Sequence, residues 1–117
     1  MTVGGCAAEI DMVLTVVCEI MGVAPHELPG KTTPRTRPRL CWARNMASLV
    51  LHERGLSDGR IARAFGHIHR VTILVRRRRM AAKLQTTALY RDFHAAIWQR
   101  VSPPAAAHDA PFAAQVA

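Results

Sequence analysis

The sequence predicts an all-α fold, a small helical bundle that contains a helix-turn-helix, on three observations. Apolar residues make up 50% of the 117 residues but aromatic residues only 5%, so the core is aliphatic and rich in alanine, which favours helices. Apolar residues recur at helical spacing along most of the chain. One stretch, SDGRIARAFGHIHRVTILVRRRRM, has the pattern of two helices joined by a sharp turn. The length fits one domain, residues 7–100, between a frayed N-terminus (residues 1–6) and a tail.

The N-terminal third predicts one long helix and one short one. A core stripe from about Ala7 to Met21 predicts the first helix, and Gly22 ends it. Pro25 can start a short helix after this glycine, and Leu28 can reach the core. Acidic side chains on the outer side of the first helix suit the helix dipole.

A basic, proline-rich loop, GKTTPRTRP, leads into the second long helix. Its prolines hold the backbone extended, and an extended arm with spaced arginines can follow phosphates or enter a narrow minor groove. The minor-groove arm is therefore predicted to comprise Arg35, Arg37 and Arg39. The alternative is a flexible linker with incidental charge. From Pro38 or Arg39 to about Arg54 the apolar spacing predicts a helix, with Arg44 and Asn45 near its start, where backbone amides also favour a phosphate.

The stretch from Ser57 to Met80 is the predicted helix-turn-helix. Ser57 can cap the first helix, and Gly66 can adopt the left-handed angle that ends it. A second helix starts near His69–Arg70, with Ile73, the stem of Arg77, Met80 and Leu84 on one stripe. In a DNA-binding helix-turn-helix this helix enters the major groove by its N-terminal residues. A helical hairpin of any small bundle would show the same spacing.

The chain closes with one more predicted helix, from beyond Thr86 to about Arg100, on the spacing of Leu89, Phe93 and Ile97. Residues 101–117 are rich in alanine and proline without apolar periodicity, which predicts a disordered tail.

Charge is distributed unevenly. The net charge is +8, and all 16 lysines and arginines lie between residues 31 and 100, around the predicted hairpin. Residues 1–30 contain four acidic residues and no lysine or arginine. A basic region of this kind is typical of a polyanion-binding protein, most often one that binds nucleic acid. A solvated basic surface without function is the alternative.

The order of elements and the local sequences resemble the C-terminal DNA-binding domain of the bacterial chromosomal replication initiator DnaA, over about Ile10 to Arg100. The most specific part is Leu56-Ser57, then Ile61-Ala62-Arg63-Ala64-Phe65-Gly66, then Thr72-Ile73. In the family this stretch reads Leu-Ser-x-x-x-Ile-Gly-x-x-Phe-Gly before the recognition helix. Arg44-Asn45 also resembles the Arg-Gln pair at the start of the family's long helix.

The resemblance implies binding to double-stranded DNA. By it, a loop arginine such as Arg37 enters the minor groove, Arg44 and Asn45 hold phosphates, and base edges face four residues at the start of the recognition helix: His69, Arg70, Val71 and Thr72. The chemistry agrees at two of these positions, since Arg70 can donate two bonds to a guanine edge and the Val71 methyls can touch a thymine methyl. The later arginines Arg76, Arg78 and Arg79 are expected to meet phosphates, which position the protein without specifying sequence.

The chain also departs from the family. Where the family carries Gly-Arg-Asp-His-Thr-Thr, this chain has His67-Ile68-His69-Arg70-Val71-Thr72, so only one threonine is kept and the family's usual site is not its expected target. The chain contains Gly30-Lys31-Thr32, but Pro25 stands where the phosphate loop Gly-x-x-x-x-Gly-Lys-Ser/Thr needs its first glycine. The complete motif is therefore absent, and neither an ATPase domain nor nucleotide binding is expected. The prediction is a stand-alone DnaA-related regulator of transcription or modulator of binding at replication sites.

Other classes of function fit less well. The histidines are dispersed, acids are few and no complete ligand set appears, so no enzyme, metal or cofactor is predicted. Cys6, Cys18 and Cys41 are expected to be core thiols. Without a spanning segment or a basic leader, the expected location is cytoplasmic, at the nucleoid. An RNA-binding module, or an adaptor that docks a protein partner through its N-terminal helix or C-terminal tail, remains an alternative.

Overall fold

The computed structural model describes residues 2–101, with side chains from Ala7 onward, and the described part of the chain contains helices and no strand. One 3-10 turn, Pro25–Glu27, follows the first of five helices: α1 (Thr2–Met21), α2 (Pro38–Glu53), α3 (Asp58–Ala64), α4 (Arg70–Thr86) and α5 (Ala88–Arg100). This confirms the predicted all-α bundle. α3 and α4 are the two helices predicted to form a helix-turn-helix, and their DNA-binding role stays a prediction.

The core is built around α2, which packs against all four other α-helices. α1 also packs on α5, and α4 packs on both α3 and α5. Most of the largest fully buried side chains are aliphatic or methionine, as the composition predicts: Leu28, Met46, Leu51, Ile61, Ile73, Met80, Ile97, Val13, Val17 and Val50, together with Phe65. Leu28 reaches the core from the end of the 3-10 turn, as predicted.

The helical domain extends past both predicted ends. α1 begins at Thr2 rather than near Ala7, since a helix that has formed adds one hydrogen bond for each further residue. At the other end Val101 was assigned to the disordered tail, but it is 6% exposed and its amide donates to the carbonyl of Ile97 at 3.0 Å. The rest of the predicted tail, 102–117, lies outside the described residues.

The connection between α3 and α4 forms largely as predicted. The Ser57 hydroxyl caps α3 by accepting a bond from the Arg60 amide at 3.2 Å. Gly66 has φ 92°, a left-handed angle, and His67 follows it with φ 61°. Ile68 then returns to the core, 8% exposed. The two left-handed residues reverse the chain, so that α4 can lie against α3.

Two further predictions concern the cysteines and the membrane. Cys18 is buried, which confirms the core-thiol prediction there, and burial raises the pKa of its thiol. Cys41 is half-buried, and the side chain of Cys6 lies outside the described residues. Within residues 2–101 no helix has both the length and the apolarity needed to cross a membrane.

Candidate nucleic-acid interface

A groove of about 1200 Å³ separates the basic loop from the exposed side of α4. Its walls are the loop from Lys31 to Thr36, the start of α2, the turn before α4 and the first three turns of α4. None of its lining residues is an aspartate or a glutamate. The residues that bring positive charge or imidazole rings to it are Lys31, Arg70, Arg76, Arg79, His67 and His69.

The carboxylates of the described residues lie elsewhere, and most of them are already paired. Four arginine–carboxylate pairs lie outside the groove: Arg37–Glu27, Arg54–Glu9, Arg77–Asp58 and Arg100–Glu19. Within the described part of the chain Lys31, Arg70 and Arg79 have no carboxylate within 4.0 Å. Their charges are therefore available to an anionic ligand, and the groove has a positive potential.

The first turn of α4 presents the predicted base-contacting residues. His69 is the N-cap of the helix, and its Nδ1 accepts a hydrogen bond from the Val71 amide at 3.1 Å. An accepting Nδ1 carries no proton, so the ring proton is on Nε2, where it can be donated to a ligand. Arg70 and Val71 are exposed and Thr72 is half-buried. Three of the four line the groove, whereas Val71 lies on the adjoining side of the helix.

The predicted phosphate contact by Arg44 is wrong for this conformation, because the side chain is 5% exposed and all five of its N–H groups donate within the protein. Nε donates to the carbonyl of Leu28 at 2.8 Å, and Nη2 to those of Glu27 and Pro29, both at 2.9 Å. Nη1 donates to the Lys31 carbonyl at 2.9 Å and to a threonine hydroxyl. Arg44 therefore holds the start of the basic loop, and desolvation lowers its pKa.

The predicted phosphate contact by Arg76 is also wrong for this conformation, because the side chain is buried. The residue is 4% exposed, its Nη2 donates to the Gly30 carbonyl at 2.8 Å, and its guanidinium lies 5.3 Å from the centroid of the Phe65 ring. Its Nη1 is buried without a hydrogen-bond acceptor. Desolvation, followed by repulsion from Arg44, lowers the pKa of Arg76 to about 10, so it stays charged at neutral pH.

The arginine run of α4 divides among three environments, because successive helical residues point about 100° apart. Arg76, rather than the predicted Arg77, joins Ile73 and Met80 on the buried side. Arg77 instead donates two bonds to the carboxylate of Asp58, at 2.9 and 3.1 Å. Arg78 and Arg79 are exposed, as a phosphate contact requires.

The loop arginines do not form one extended arm. Residues 33–36 form a turn in which the Thr33 amide donates to the Thr36 hydroxyl at 2.8 Å and the Thr36 amide to the Thr33 carbonyl at 3.0 Å. Hydrogen bonds that involve the threonine hydroxyls thus form a turn here, where the prolines predict an extended conformation. Arg35 is exposed on this turn, and Arg37 pairs with Glu27 at 2.6 Å.

Arg39 lies in a different place from the other loop arginines. It is in the first turn of α2 and borders a second depression, on the side of α1 and α5, rather than the groove. Its guanidinium lies close to Gly22, where an added Cβ atom would come within 3.3 Å of Nη1. The structure therefore does not bring Arg39 together with Arg35 on the loop.

Three residues of α2 complete the groove: Asn45, which was predicted to contact phosphate, and Trp42 and Cys41, which were not predicted as site residues. Asn45 is 8% exposed and lines the groove, so most of its side chain is not available to a phosphate. Trp42 also lines the groove. Its ring is tilted against the Tyr90 ring, with a centroid distance of 5.4 Å, and the Lys83 ammonium lies 4.9 Å from its centroid. Cys41 lies one turn before Asn45 and also faces the groove. Their helical phase in α2 was the only signal in the sequence.

Comparison with known proteins returns no match to any family model, curated protein or solved structure. The described residues also contain no cluster of three or more side chains able to hold a metal ion.

Proposed function

We propose that this chain is a sequence-specific double-stranded DNA-binding protein that inserts the start of α4 into the major groove. Its role would be that of a stand-alone regulator of transcription or modulator of binding at replication sites, located at the nucleoid and without catalytic activity. The resemblance of its sequence to the C-terminal domain of DnaA supports this proposal. The observation that carries it is the groove, lined by cations and free of carboxylates, beside an exposed helix start.

The arrangement suits duplex DNA in two ways. His69, Arg70 and Val71 offer a ring donor, a guanidinium fork and two methyl groups at one helix end, which are the groups that read base edges. Lys31, Arg35, Arg78 and Arg79 lie around them as exposed cations, suited to phosphates. In this proposal Arg44 and Arg76 act through the loop and touch no DNA.

The experiment is selection of bound duplexes from a random DNA pool at near-physiological salt, followed by a salt titration on the selected site. The four cations assigned to phosphates (Lys31, Arg35, Arg78 and Arg79) give a slope of log affinity against log salt of about −3.6, or roughly 150-fold weaker binding from 50 to 200 mM. A flat salt response or no enriched motif would contradict sequence-specific binding. Stronger competition by a stem-loop RNA would favour the RNA alternative.

The loop offers a matched pair of variants for the same assay. Arg35→Ala should weaken DNA binding about three- to tenfold, since it removes one exposed charge near the groove. Arg39→Ala should leave the affinity within about twofold, because Arg39 lies on the far side, near Gly22. An equal loss in both variants would show that Arg39 also reaches DNA.

An adaptor role is the second candidate, and a separate apolar depression favours it. This depression, of about 420 Å³, lies between the C-terminal end of α1, the start of α2 and α5, and its apolar lining residues are Ile20, Met21, Trp42, Leu89, Tyr90 and Phe93. Leu89 is 55% exposed there. If a protein partner binds this surface, Leu89→Glu should abolish a salt-resistant complex and leave DNA binding intact.

A further inference from the structure

Two valines stand out on the solvent side of α4. Val71 is 51% exposed and Val75 is 41% exposed, while Ile73 and Met80 of the same helix are fully buried. Leu74, between the two valines, is half-buried. The core therefore does not explain the valines, and exposed β-branched residues also lower helix propensity slightly, so stability does not explain them either.

The distance between the two valines along α4 is similar to the distance between nearby base pairs in DNA. Residues four apart on a helix lie about 6 Å apart along its axis and about 40° apart around it. Two base-pair steps rise about 7 Å along the DNA axis. A helix that lies along the major groove is inclined to the DNA axis, so a spacing of about 6 Å along the helix covers less than this rise. Val71 and Val75 can therefore reach the base edges of two pairs that are adjacent or separated by one intervening pair.

The surroundings of the valines favour a polyanion over an apolar protein surface. Arg70 precedes them, and Arg78 and Arg79 follow within one turn, all three exposed. The carboxylate that lines the depression beside Val71 belongs to Asp58, and Arg77 holds it through two hydrogen bonds. Apolar methyl groups bordered by guanidinium groups complement the major groove, where thymine methyl groups lie between two rows of phosphates.

We infer that Val71 and Val75 together read thymine, each valine packing against the 5-methyl group of one thymine in the major groove. The inference deepens the proposed function, on which it rests, and adds Val75 as a specificity-determining residue. The two thymines lie in adjacent base pairs or are separated by one base pair, on either strand. Arg70 fixes the register of the helix by contacting the base pair next to the thymine read by Val71.

The experiment uses the selected duplex and replaces each thymine in turn by deoxyuridine, which removes the methyl group and keeps the base pair. Loss of one buried methyl group should weaken binding about fourfold at each of two thymines and little elsewhere. Val71→Ala should be insensitive to deoxyuridine at one of these thymines, and Val75→Ala at the other. Both substitutions are at exposed helical positions where alanine is tolerated, so folding is preserved.

The outcomes separate the inference from the proposed function. An enriched motif with no sensitivity to deoxyuridine overturns the inference and leaves DNA binding in place. Sensitivity that persists unchanged in Val71→Ala and Val75→Ala also overturns it, because the methyl groups are then read by other residues. If both variants bind DNA like the wild type, the valine pair does not contribute to DNA binding, and this result overturns the inference as well. Absence of any DNA binding removes the proposed function and the inference together.

Discussion

Arg44 should stabilise the fold far more than any exposed arginine, and Arg44→Met tests this. Methionine keeps an unbranched, apolar stem of similar length and removes all five donors. The Leu28 carbonyl, which accepts in a buried position, would lose its partner at a cost of about 1–3 kcal/mol. The other three carbonyls, at Glu27, Pro29 and Lys31, are partly buried and can recover water, at about 0.5–1.5 kcal/mol each.

These costs add up to about 2.5–7.5 kcal/mol, a large share of the roughly 5–15 kcal/mol that stabilises a typical domain. Urea unfolding followed by circular dichroism measures it. Arg44→Lys should lose nearly as much, because one ammonium group cannot reach all four carbonyls that lie around the edge of the guanidinium. The control is Arg35→Met on the exposed turn of the loop, which should change stability by less than about 0.5 kcal/mol.

One result would refute this reasoning. If the free energy of unfolding of Arg44→Met lies within about 1 kcal/mol of the wild-type value while DNA affinity falls, the guanidinium binds the ligand rather than stabilising the loop. The first assignment of Arg44 as a phosphate contact would then be correct, and the carbonyl contacts would be replaceable by water.

Three further predictions concern the surface of α3 and α4. Arg70→Ala should lose about 1–3 kcal/mol of binding free energy on the selected site and less on random DNA. Arg91→Ala, on α5, is the control and should leave both affinities unchanged. An equal loss on all sequences would make Arg70 a phosphate contact. His69→Ala should destabilise the fold by about 1 kcal/mol, while His69→Asn keeps the cap and its stability but weakens DNA binding; equal stability of the two variants would exclude the cap. The Arg77 guanidinium holds the pKa of Asp58 below its usual range by a hydrogen bond, opposed by desolvation and reinforced by charge. The stabilisation by this pair is therefore present above the unfolded pKa, about 4, and is lost as the pH falls through the folded pKa. Asp58→Asn should be about 0.5–1 kcal/mol less stable than the wild type at pH 7 in urea unfolding, and this difference should shrink as the pH falls below about 4.

Features encoded by a few neighbouring residues could be predicted from the sequence. Ser57 caps α3 and Gly66 ends it, because both effects depend on groups within four residues. Pro38 starts α2 for the same reason, since its ring fixes the first helical φ and needs no amide partner. The start of α4 beside His69 was also correct. Local chemistry was sufficient in each case.

The environments of the arginines could not be predicted in this way. Arg44 binds carbonyls 13 to 17 residues away, and Arg76 binds one that is 46 residues away. A charged residue in a basic stretch gives no sign of such partners, and most arginines are exposed. The helical phase of Arg76, between Ile73 and Met80, was the signal that could have indicated its burial. The turn at Thr33 and Thr36 depends on hydrogen bonds of the threonine hydroxyls, which the proline pattern does not indicate.

The contacts of Arg44 and Arg76 with the loop have a thermodynamic consequence for ligand binding. Because the carbonyls of Gly30 and Lys31 are held by buried guanidinium groups, this part of the loop is ordered in the free protein. Its conformational entropy is lost when the chain folds, not when a ligand arrives. Binding should therefore show a small change in heat capacity, as expected for two preformed surfaces, and association should be limited by collision and charge rather than by folding of the loop.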